Sequence, residues 1–110
     1  MQEITTKALK KLIDEKVNFV LLDCRTVENY EQEHLPGALN LHWKYVPEKA
    51  HELLFDKNAM IVTYCSGITC DASIKCYKHL HDAGYTNLIE YAGGLEEWKA
   101  HGHKTTKASL

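Results

Sequence analysis

Two hydrophobic patterns alternate along the chain: short continuous apolar runs and longer amphipathic stretches. The runs are NFVLLD (18–23), AMIVTY (59–64) and NLIEY (87–91). They are too short for helices and too continuous for strands with one exposed face. Runs of this kind are typical of parallel strands that are covered on both faces. The pattern therefore predicts three strands of a parallel sheet.

The amphipathic stretches between the runs predict helices, because their apolar residues recur with helical spacing. Strands that alternate with helices favour an α/β fold in which helices cover both faces of a parallel sheet. Threonine at the N-cap position and proline in the first turn are typical of helix starts. The expected helices follow Thr5 or Thr6, follow Thr26, run from Pro47 through Phe55, extend from Asp71 to a stop at Gly84, and follow Gly93-Gly94.

Length and charge exclude several classes of protein. A chain of 110 residues can bury a modest core as a single domain, 1–110, and the residues after Gly102 (103–110) are expected to be a frayed tail. A net charge of −2 gives no electrostatic reason to expect nucleic acid or an anionic membrane as partner. No apolar run approaches the ~20 residues that span a bilayer, and the amino terminus does not resemble a signal peptide. We therefore expect a cytoplasmic protein.

Cys65 directly follows the second apolar run and precedes a short glycine-containing loop. Ligands of open α/β sheets bind beyond the carboxyl ends of the strands. A loop that leads into a helix directs backbone N–H groups and the positive end of the helix dipole inward. We expect this loop to stabilise a thiolate or persulfide on Cys65 and to lower the pKa of the Cys65 thiol. The alternative is that Cys65 only fills space. The loop comprises Ser66, Gly67, Ile68, Thr69 and Cys70.

The remaining cysteines divide into two groups. Cys24 and Cys76 fall inside predicted regular structure, where a cysteine behaves as a small hydrophobic residue, and both are expected to be inert. Cys70 is close enough in sequence to form a disulfide with Cys65 if their Cα atoms come within roughly 7 Å. That pair would form a thiol redox switch or a thiol-disulfide reductase. This hypothesis stays open beside simple nucleophilic chemistry.

Seven histidines raise the question of a metal site. Residues two apart on a helix do not share a face, so His79 and His81 cannot bind one ion together. His101 and His103 lie in the expected frayed end, with no cysteine nearby in sequence. We interpret the histidines as surface residues and expect neither a metal nor a cofactor.

Several motifs follow one another in a fixed order and spacing. They are LLDCR (21–25), ENYEQEHLPGALN (28–40), IVTYCSGITC (61–70), HDAGYTNLIEYAGG (81–94), and Trp98 with Gly102. With these motifs the sequence resembles the rhodanese (sulfurtransferase) domain family, over a core of about 4–102. The resemblance implies a three-layer fold with a parallel sheet of about five strands and helices on both faces.

The resemblance also implies an activity and the residues that perform it. Cys65 would be the catalytic residue of a thiosulfate sulfurtransferase-like enzyme, carrying sulfane sulfur as a persulfide. The donor would be thiosulfate, a small persulfide or a protein persulfide, and the acceptor cyanide or a thiol. Residues 66–70 would form the substrate-binding loop. A non-catalytic binding module, as some rhodanese domains are, is the alternative within the family.

Three further residues take structural roles by resemblance. Asp23 and Arg25 belong to the family's Asp-x-Arg motif, with Arg25 expected to pair with Glu28 or a nearby carboxylate. His34 is expected to hold the turn at Pro36-Gly37. These are support roles, distinct from the chemistry at Cys65.

One departure from the family pattern concerns substrate charge. Many active members carry Arg or Lys in the loop, whereas residues 66–71 here contain no cation and end in Asp71, the expected N-cap of the next helix. A phosphatase-like Cys-x5-Arg loop is disfavoured for the same reason, because Asp71 occupies the place of its arginine. We therefore expect weak capture of thiosulfate, with Lys75 as the one candidate cation one helical turn further on.

Overall fold

The computed structural model describes residues 1–107, which form five α-helices, four β-strands and a short 3-10 helix. The helices and strands follow the predicted order, with ends that differ by a few residues. In chain order they are α1 (Thr6–Asp14), β1 (Val20–Asp23), α2 (Val27–Gln32), β2 (Leu39–Asn40), the 3-10 helix (Trp43–Tyr45), α3 (Val46–Leu53), β3 (Ile61–Tyr64), α4 (Ala72–Asp82), β4 (Leu88–Tyr91) and α5 (Gly94–Ala100).

All four strands pair in parallel, in the order β2-β1-β3-β4. The predicted parallel sheet is confirmed, with four strands where about five were expected. A fifth segment contributes a single bridge, since the Ile4 N–H donates to the Glu90 carbonyl at 3.0 Å and the Glu90 N–H donates to the Gln2 carbonyl at 2.8 Å. The segment cannot extend further as a strand because α1 begins at Thr6.

Hydrophobic cores lie on both faces of the sheet, because side chains along each strand alternate between them. One core packs β1 and β3 against α3 and α4, and includes Leu22, Ile61 and Leu80. The other packs the same strands against α1 and α5, and includes Leu21 and Trp98. The predicted three-layer arrangement is therefore confirmed.

Helix caps follow the sequence in two cases and depart from it in one. Thr5 accepts a hydrogen bond from the Ala8 N–H at 3.1 Å, and Thr26 caps α2 in the same way. Asp71 was expected to cap α4 with its carboxylate, but the side chain makes no capping hydrogen bond and lies 3.4 Å from Lys75 Nζ. An ion pair one helical turn apart has replaced the cap.

The chain after Gly102 is held against the fold. Thr106 exchanges two backbone hydrogen bonds of 2.8 Å with His34, and the Trp98 indole donates to the Lys104 carbonyl at 2.8 Å. These contacts contradict the expectation of a frayed tail for residues 103–106, and residues 108–110 lie outside the described part of the chain. Among residues 1–107, every helix is too short or too polar to cross a membrane.

Candidate active site

Cys65 lies immediately after β3 and begins a loop, residues 65–71, that leads into α4; we call it the thiol loop. The start of α5 fixes its backbone. The Leu95 N–H donates to the Cys65 carbonyl at 3.0 Å, and the Glu96 N–H donates to the Ser66 carbonyl at 2.8 Å. Two free N–H groups of a helix terminus thus bind the carbonyls of the loop.

Gly94 makes this contact possible. Its φ is +63°, a backbone region that side chains disfavour. A Cβ at this position would lie 2.5 Å from the Cys65 carbonyl oxygen and 2.8 Å from the Gly67 nitrogen. Sequence reasoning treated Gly94 only as the lead into a helix, because its closeness to the thiol loop depends on how β4 and β3 pair.

The Cys65 thiol is buried, with 2% of the residue exposed. Its sulfur lies 3.4 Å from the Cys70 carbonyl oxygen and 3.6 Å from Ser73 Oγ. Burial, reinforced by the hydrogen bond with the Cys70 side chain, raises the pKa of Cys65 to about 11, although the N–H and hydroxyl of Ser73 oppose the shift. The expected lowered pKa at Cys65 is therefore wrong. Loss of hydration outweighs the dipole of α4 at this depth.

Cys70 occupies the more open place in the thiol loop. Burial raises the pKa of the Cys70 thiol, but hydrogen bonds from the Cys65 thiol and from the N–H groups of Ala72 and Ser66 outweigh it and lower the pKa. The Ser66 hydroxyl contributes in the same direction. The sequence predicted donors around Cys65, whereas the N–H groups of Ala72 and Ser66 act on the pKa of Cys70.

A cavity of about 280 Å³ opens beside the thiol loop, and Arg25 forms part of its wall. The thiol loop contains no Lys or Arg, but Arg25, which follows β1, supplies a cation at the cavity wall. Lys75 does not serve this purpose, since its ammonium lies 3.4 Å from Asp71 and 4.5 Å from the centre of the Trp43 ring. The cavity is lined by Arg25, Thr26, Asn29, His42, Ser66, Cys70 and Ala72.

Arg25 is held by Asp23 rather than by Glu28. Its Nη2 lies 2.7 Å from Asp23 Oδ2, and its Nε lies 3.0 Å from Asp23 Oδ1. The Tyr64 hydroxyl donates to the same fully buried carboxylate at 2.8 Å and accepts from the Leu35 N–H at 3.0 Å. Burial, followed by the Asp23 charge, raises the pKa of Tyr64. These contacts join β1, β3 and the segment after α2, which suits the predicted support role.

His34 is buried and makes local contacts. Its ring stacks on Tyr30 with centroids 3.9 Å apart, and Nδ1 lies 2.7 Å from the Tyr30 carbonyl oxygen. Its backbone pairs with Thr106. His34 therefore joins α2 to the last described residues. The turn that follows is closed by the Ala38 N–H donating to the Leu35 carbonyl at 3.1 Å.

Sequence reasoning missed a buried carboxyl group near Cys65. Glu90, 2% exposed, accepts hydrogen bonds from Ser73 Oγ at 2.7 Å and Thr63 Oγ1 at 3.1 Å. Burial raises the pKa of Glu90, against the effect of those two hydrogen bonds. The available signal was a polar residue inside each of two apolar runs, Thr63 in AMIVTY and Glu90 in NLIEY, and the sheet register pairs these two residues directly.

Known proteins resemble the chain in both sequence and fold. The family model of the Rhodanese-like domain matches residues 5–101. The thiosulfate sulfurtransferase GlpE of Coxiella burnetii is 32% identical over 94 residues, covering 86% of this chain and 83% of that protein. The thiosulfate sulfurtransferase PspE of Escherichia coli is 37% identical over 76 residues, covering 69% and 70%.

A solved structure agrees with the sequence matches. The Alr3790 protein from Anabaena sp. superposes with a TM-score of 0.86 at 26% identity, covering 97% of this chain and 94% of that one. The resemblance inferred from the motifs is therefore confirmed. The chain belongs to the rhodanese-like domain family.

Proposed function

We propose that the chain is a rhodanese-type sulfurtransferase that carries sulfane sulfur as a persulfide on Cys65. Family membership and the sulfurtransferase relatives support the class of activity. The observation that carries the assignment to Cys65 is its place in the structure. It is the residue at the carboxyl end of β3, held in a loop between the amino termini of α4 and α5.

Two displacements at sulfur complete the cycle. In the first, the Cys65 thiolate attacks the outer sulfur of the donor, an S–S bond to Cys65 forms, and the donor's own S–S bond breaks. The electron pair of the broken bond leaves with sulfite or with a thiolate. In the second, a thiolate or cyanide attacks the outer sulfur of the persulfide and releases the Cys65 thiolate. The sum transfers one sulfur atom, so no external oxidant or reductant is consumed.

The thiol loop provides donors for the anions of this cycle. The backbone N–H of Ser73 acts to lower the pKa of Cys65, and the N–H groups of Ser66 and Ala72 act to lower that of Cys70. Backbone N–H groups stabilise a persulfide anion without a counter-ion. Arg25 adds a cation on the cavity wall, although Asp23 neutralises much of its charge.

The proposed substrates are a small sulfur-containing donor or a protein persulfide, and a thiol or cyanide as acceptor. The cavity of about 280 Å³ beside Cys70 suits a small donor. A cytoplasmic location remains a prediction. It agrees with four cysteines that are all free thiols in the structure, as a reducing compartment maintains them.

Mass spectrometry of the protein after exposure to a sulfur donor tests the assignment. We expect an adduct of one sulfur atom that peptide mapping places on Cys65 and that a thiol removes. Cys76→Ser is the matched control, because Cys76 is fully buried in the core that packs the sheet against α3 and α4. This substitution should leave the adduct on Cys65 in place. An adduct found on Cys70 and not on Cys65 would disprove the assignment.

Thiol-disulfide exchange is a second candidate, favoured by the closeness of the two cysteines: the Cys65 sulfur lies 3.4 Å from the Cys70 carbonyl oxygen, and each thiol shifts the pKa of the other. The Cys70 thiolate would attack the inner sulfur of the Cys65 persulfide, form the Cys65–Cys70 disulfide and release hydrosulfide. An external dithiol would then supply two electrons to restore both thiols. Trapping free thiols during turnover distinguishes the two functions. An obligatory disulfide supports exchange, whereas two free thiols at every stage support sulfur transfer alone.

A further inference from the structure

Cys65 is connected through Ser73 to a carboxyl group inside the sheet. Ser73 Oγ lies 3.6 Å from the Cys65 sulfur and 2.7 Å from Glu90 Oε2, and Thr63 Oγ1 donates to Glu90 Oε1 at 3.1 Å. Each of these four residues is 2% exposed or less. The sulfur transfer described above gives Ser73 Oγ and Glu90 no role.

The buried position of Glu90 is energetically unfavourable for a carboxyl group. Glu90 lies in β4 under α4, in a strand whose other residues are apolar and buried. Burying an ionisable carboxyl costs free energy that an apolar side chain would avoid. Burial also makes the carboxyl bind a proton more readily than an exposed one, since it raises the pKa of Glu90. A group with this property next to a buried thiol is suited to proton exchange with it.

The Ser73 hydroxyl can support two states of the site but not both at once. It carries a single hydrogen, so it donates either to the Glu90 carboxylate or to the Cys65 sulfur. When it donates to Glu90, its oxygen is free to accept the Cys65 S–H. When Glu90 is protonated and donates to Ser73, the hydroxyl turns its hydrogen to a Cys65 thiolate. The two states differ by one proton moved between sulfur and carboxyl.

We propose that Ser73 and Glu90 form a proton relay for Cys65. Glu90 takes the thiol proton through Ser73 before Cys65 attacks the sulfur donor. It returns that proton once the acceptor has removed the sulfur and the thiolate is released. The proton count is unchanged over the cycle and the net charge of the three groups stays constant during each transfer. Ser73 contacts the reacting sulfur, whereas Glu90 acts through Ser73 as a positioning residue.

Other ionisable groups surround the relay and affect its titration. The Glu3 charge raises the pKa of Glu90, and Cys70 raises that of Cys65. The ionisable groups that interact with the relay are Glu3 from the amino-terminal segment, Cys24 and Arg25 from the end of β1 and Cys70 from the thiol loop, while Asp23 and Cys76 act on Cys24. None of them is bridged to Cys65 by a hydroxyl in residues 1–107 as Glu90 is.

The rate of alkylation of Cys65 by iodoacetamide, followed from about pH 5 to about pH 10, tests the relay. Peptide mapping reads Cys65 separately from Cys70. In the wild type we expect the alkylation rate to rise in two steps as the pH is raised. Loss of the first of the two protons held by Cys65 and Glu90 leaves a fixed fraction of molecules with a Cys65 thiolate and a protonated Glu90, and these molecules produce the lower step. Glu90→Gln should lose the lower step and show a single rise at high pH.

Matched variants separate the relay from a structural role. Ser73→Ala should lose the lower step, and Ser73→Thr, which keeps the hydroxyl, should retain it. Thr63→Val should keep both steps and move the lower one to higher pH, because the Thr63 hydrogen bond holds the pKa of Glu90 down. If Glu90→Gln does not fold, the Ser73 and Thr63 variants decide alone. A single step in the wild type, or Ser73→Ala superimposable on it, overturns the relay.

The relay depends on the proposed role of Cys65, yet the two can fail separately. Alkylation requires no sulfur donor. A wild type that shows two steps but forms no persulfide on Cys65 disproves the sulfur-carrier assignment alone. A wild type that forms the persulfide but titrates in one step disproves the relay alone.

Discussion

The two thiols of the thiol loop, Cys65 and Cys70, are only five positions apart in the sequence but differ in burial, in hydrogen-bonding surroundings and in the direction of their pKa shifts. Cys65 is buried, lies beside carbonyl oxygens and Ser73, and has a raised pKa. Cys70 is half-buried on the wall of a cavity, and its pKa is lowered by the Cys65 thiol and by the N–H groups of Ala72 and Ser66. The sulfur that ionises more easily is therefore not the one at the end of the central strand.

This difference shows how one loop can divide two tasks. A persulfide on a buried sulfur is protected from solvent and from adventitious thiols, which suits a carrier. A more acidic, accessible thiol reacts faster with passing electrophiles, which suits exchange. The proposed relay compensates for the high pKa of Cys65, because Glu90 accepts the proton of the Cys65 thiol through Ser73. The predictions below test whether the two sulfurs are separated in function as they are in environment.

Cys65→Ser should abolish sulfur transfer, the largest effect that we expect. Serine is nearly isosteric but its hydroxyl cannot carry a sulfur atom as a persulfide. Steady-state transfer from thiosulfate and from a small persulfide, measured beside circular dichroism, checks this. Substantial transfer by a folded Cys65→Ser protein would place the carrier elsewhere, with Cys70 the first alternative.

Gly94→Ala should destabilise the protein and move the loop on which both thiols depend. The left-handed backbone at this position costs alanine about 1–2 kcal/mol, and the 2.5 Å approach of its Cβ to the Cys65 carbonyl oxygen adds to that cost. Gly102→Ala is the matched control, since Gly102 has a φ of +79° and open space around its Cβ position. Denaturant unfolding should show a larger loss for Gly94→Ala. Equal losses would mean that α5 does not constrain the loop.

The elements of the fold could be predicted because their signals are local. The apolar runs gave β1, β3 and β4, and Thr5 and Thr26 gave two helix caps that the structure retains. These three strands end where the apolar runs end and begin one or two residues later than the runs. The β2 strand, with only two residues, carries too little pattern to be recognised.

The site was less predictable because its properties depend on which strands are neighbours. The sequence located Cys65 at a strand end but not its depth, so the dipole of α4 was weighed without the cost of burial. Arg25 reaches the cavity only because β1 pairs with β3. Glu90 was missed for a similar reason, because its partner Thr63 is defined by the β3–β4 register. The strand runs alone do not specify that register.

Cys70→Ser should change turnover by no more than about tenfold under reducing conditions, equivalent to roughly 1.4 kcal/mol in the barrier. Serine keeps a hydrogen-bonding group for the Ser66 and Ala72 donors, but removes the thiol that raises the pKa of Cys65. Transfer rates with and without a dithiol check this. Complete loss of turnover, or a Cys65–Cys70 disulfide required in every cycle, would make exchange rather than transfer the main function.

Ser66→Arg should lower the thiosulfate KM by about fivefold, the smallest effect in the series. The Coulomb energy of unit charges ~4 Å apart is about 4 kcal/mol at an effective dielectric near 20, and a quarter of that, after screening, corresponds to about fivefold. Ser66 lies on the cavity wall, where Arg25 is already paired with Asp23, so a new guanidinium would supply the unpaired charge that a dianion needs. The gain should shrink at high ionic strength.

Lys75→Ala is the matched control for the charge argument. Lys75 is engaged by Asp71 and Trp43 away from the cavity wall, so its removal should leave the thiosulfate KM unchanged at both low and high salt. The Ser66 side chain also helps to lower the pKa of Cys70, so alkylation of Cys70 in Ser66→Arg must be measured beside the kinetics. A wild type with a low, salt-sensitive KM that Ser66→Arg fails to improve would show that Arg25, despite its Asp23 partner, already binds the donor. A rise in KM on Lys75→Ala would instead return Lys75 to the site and contradict the placement of its ammonium against Trp43.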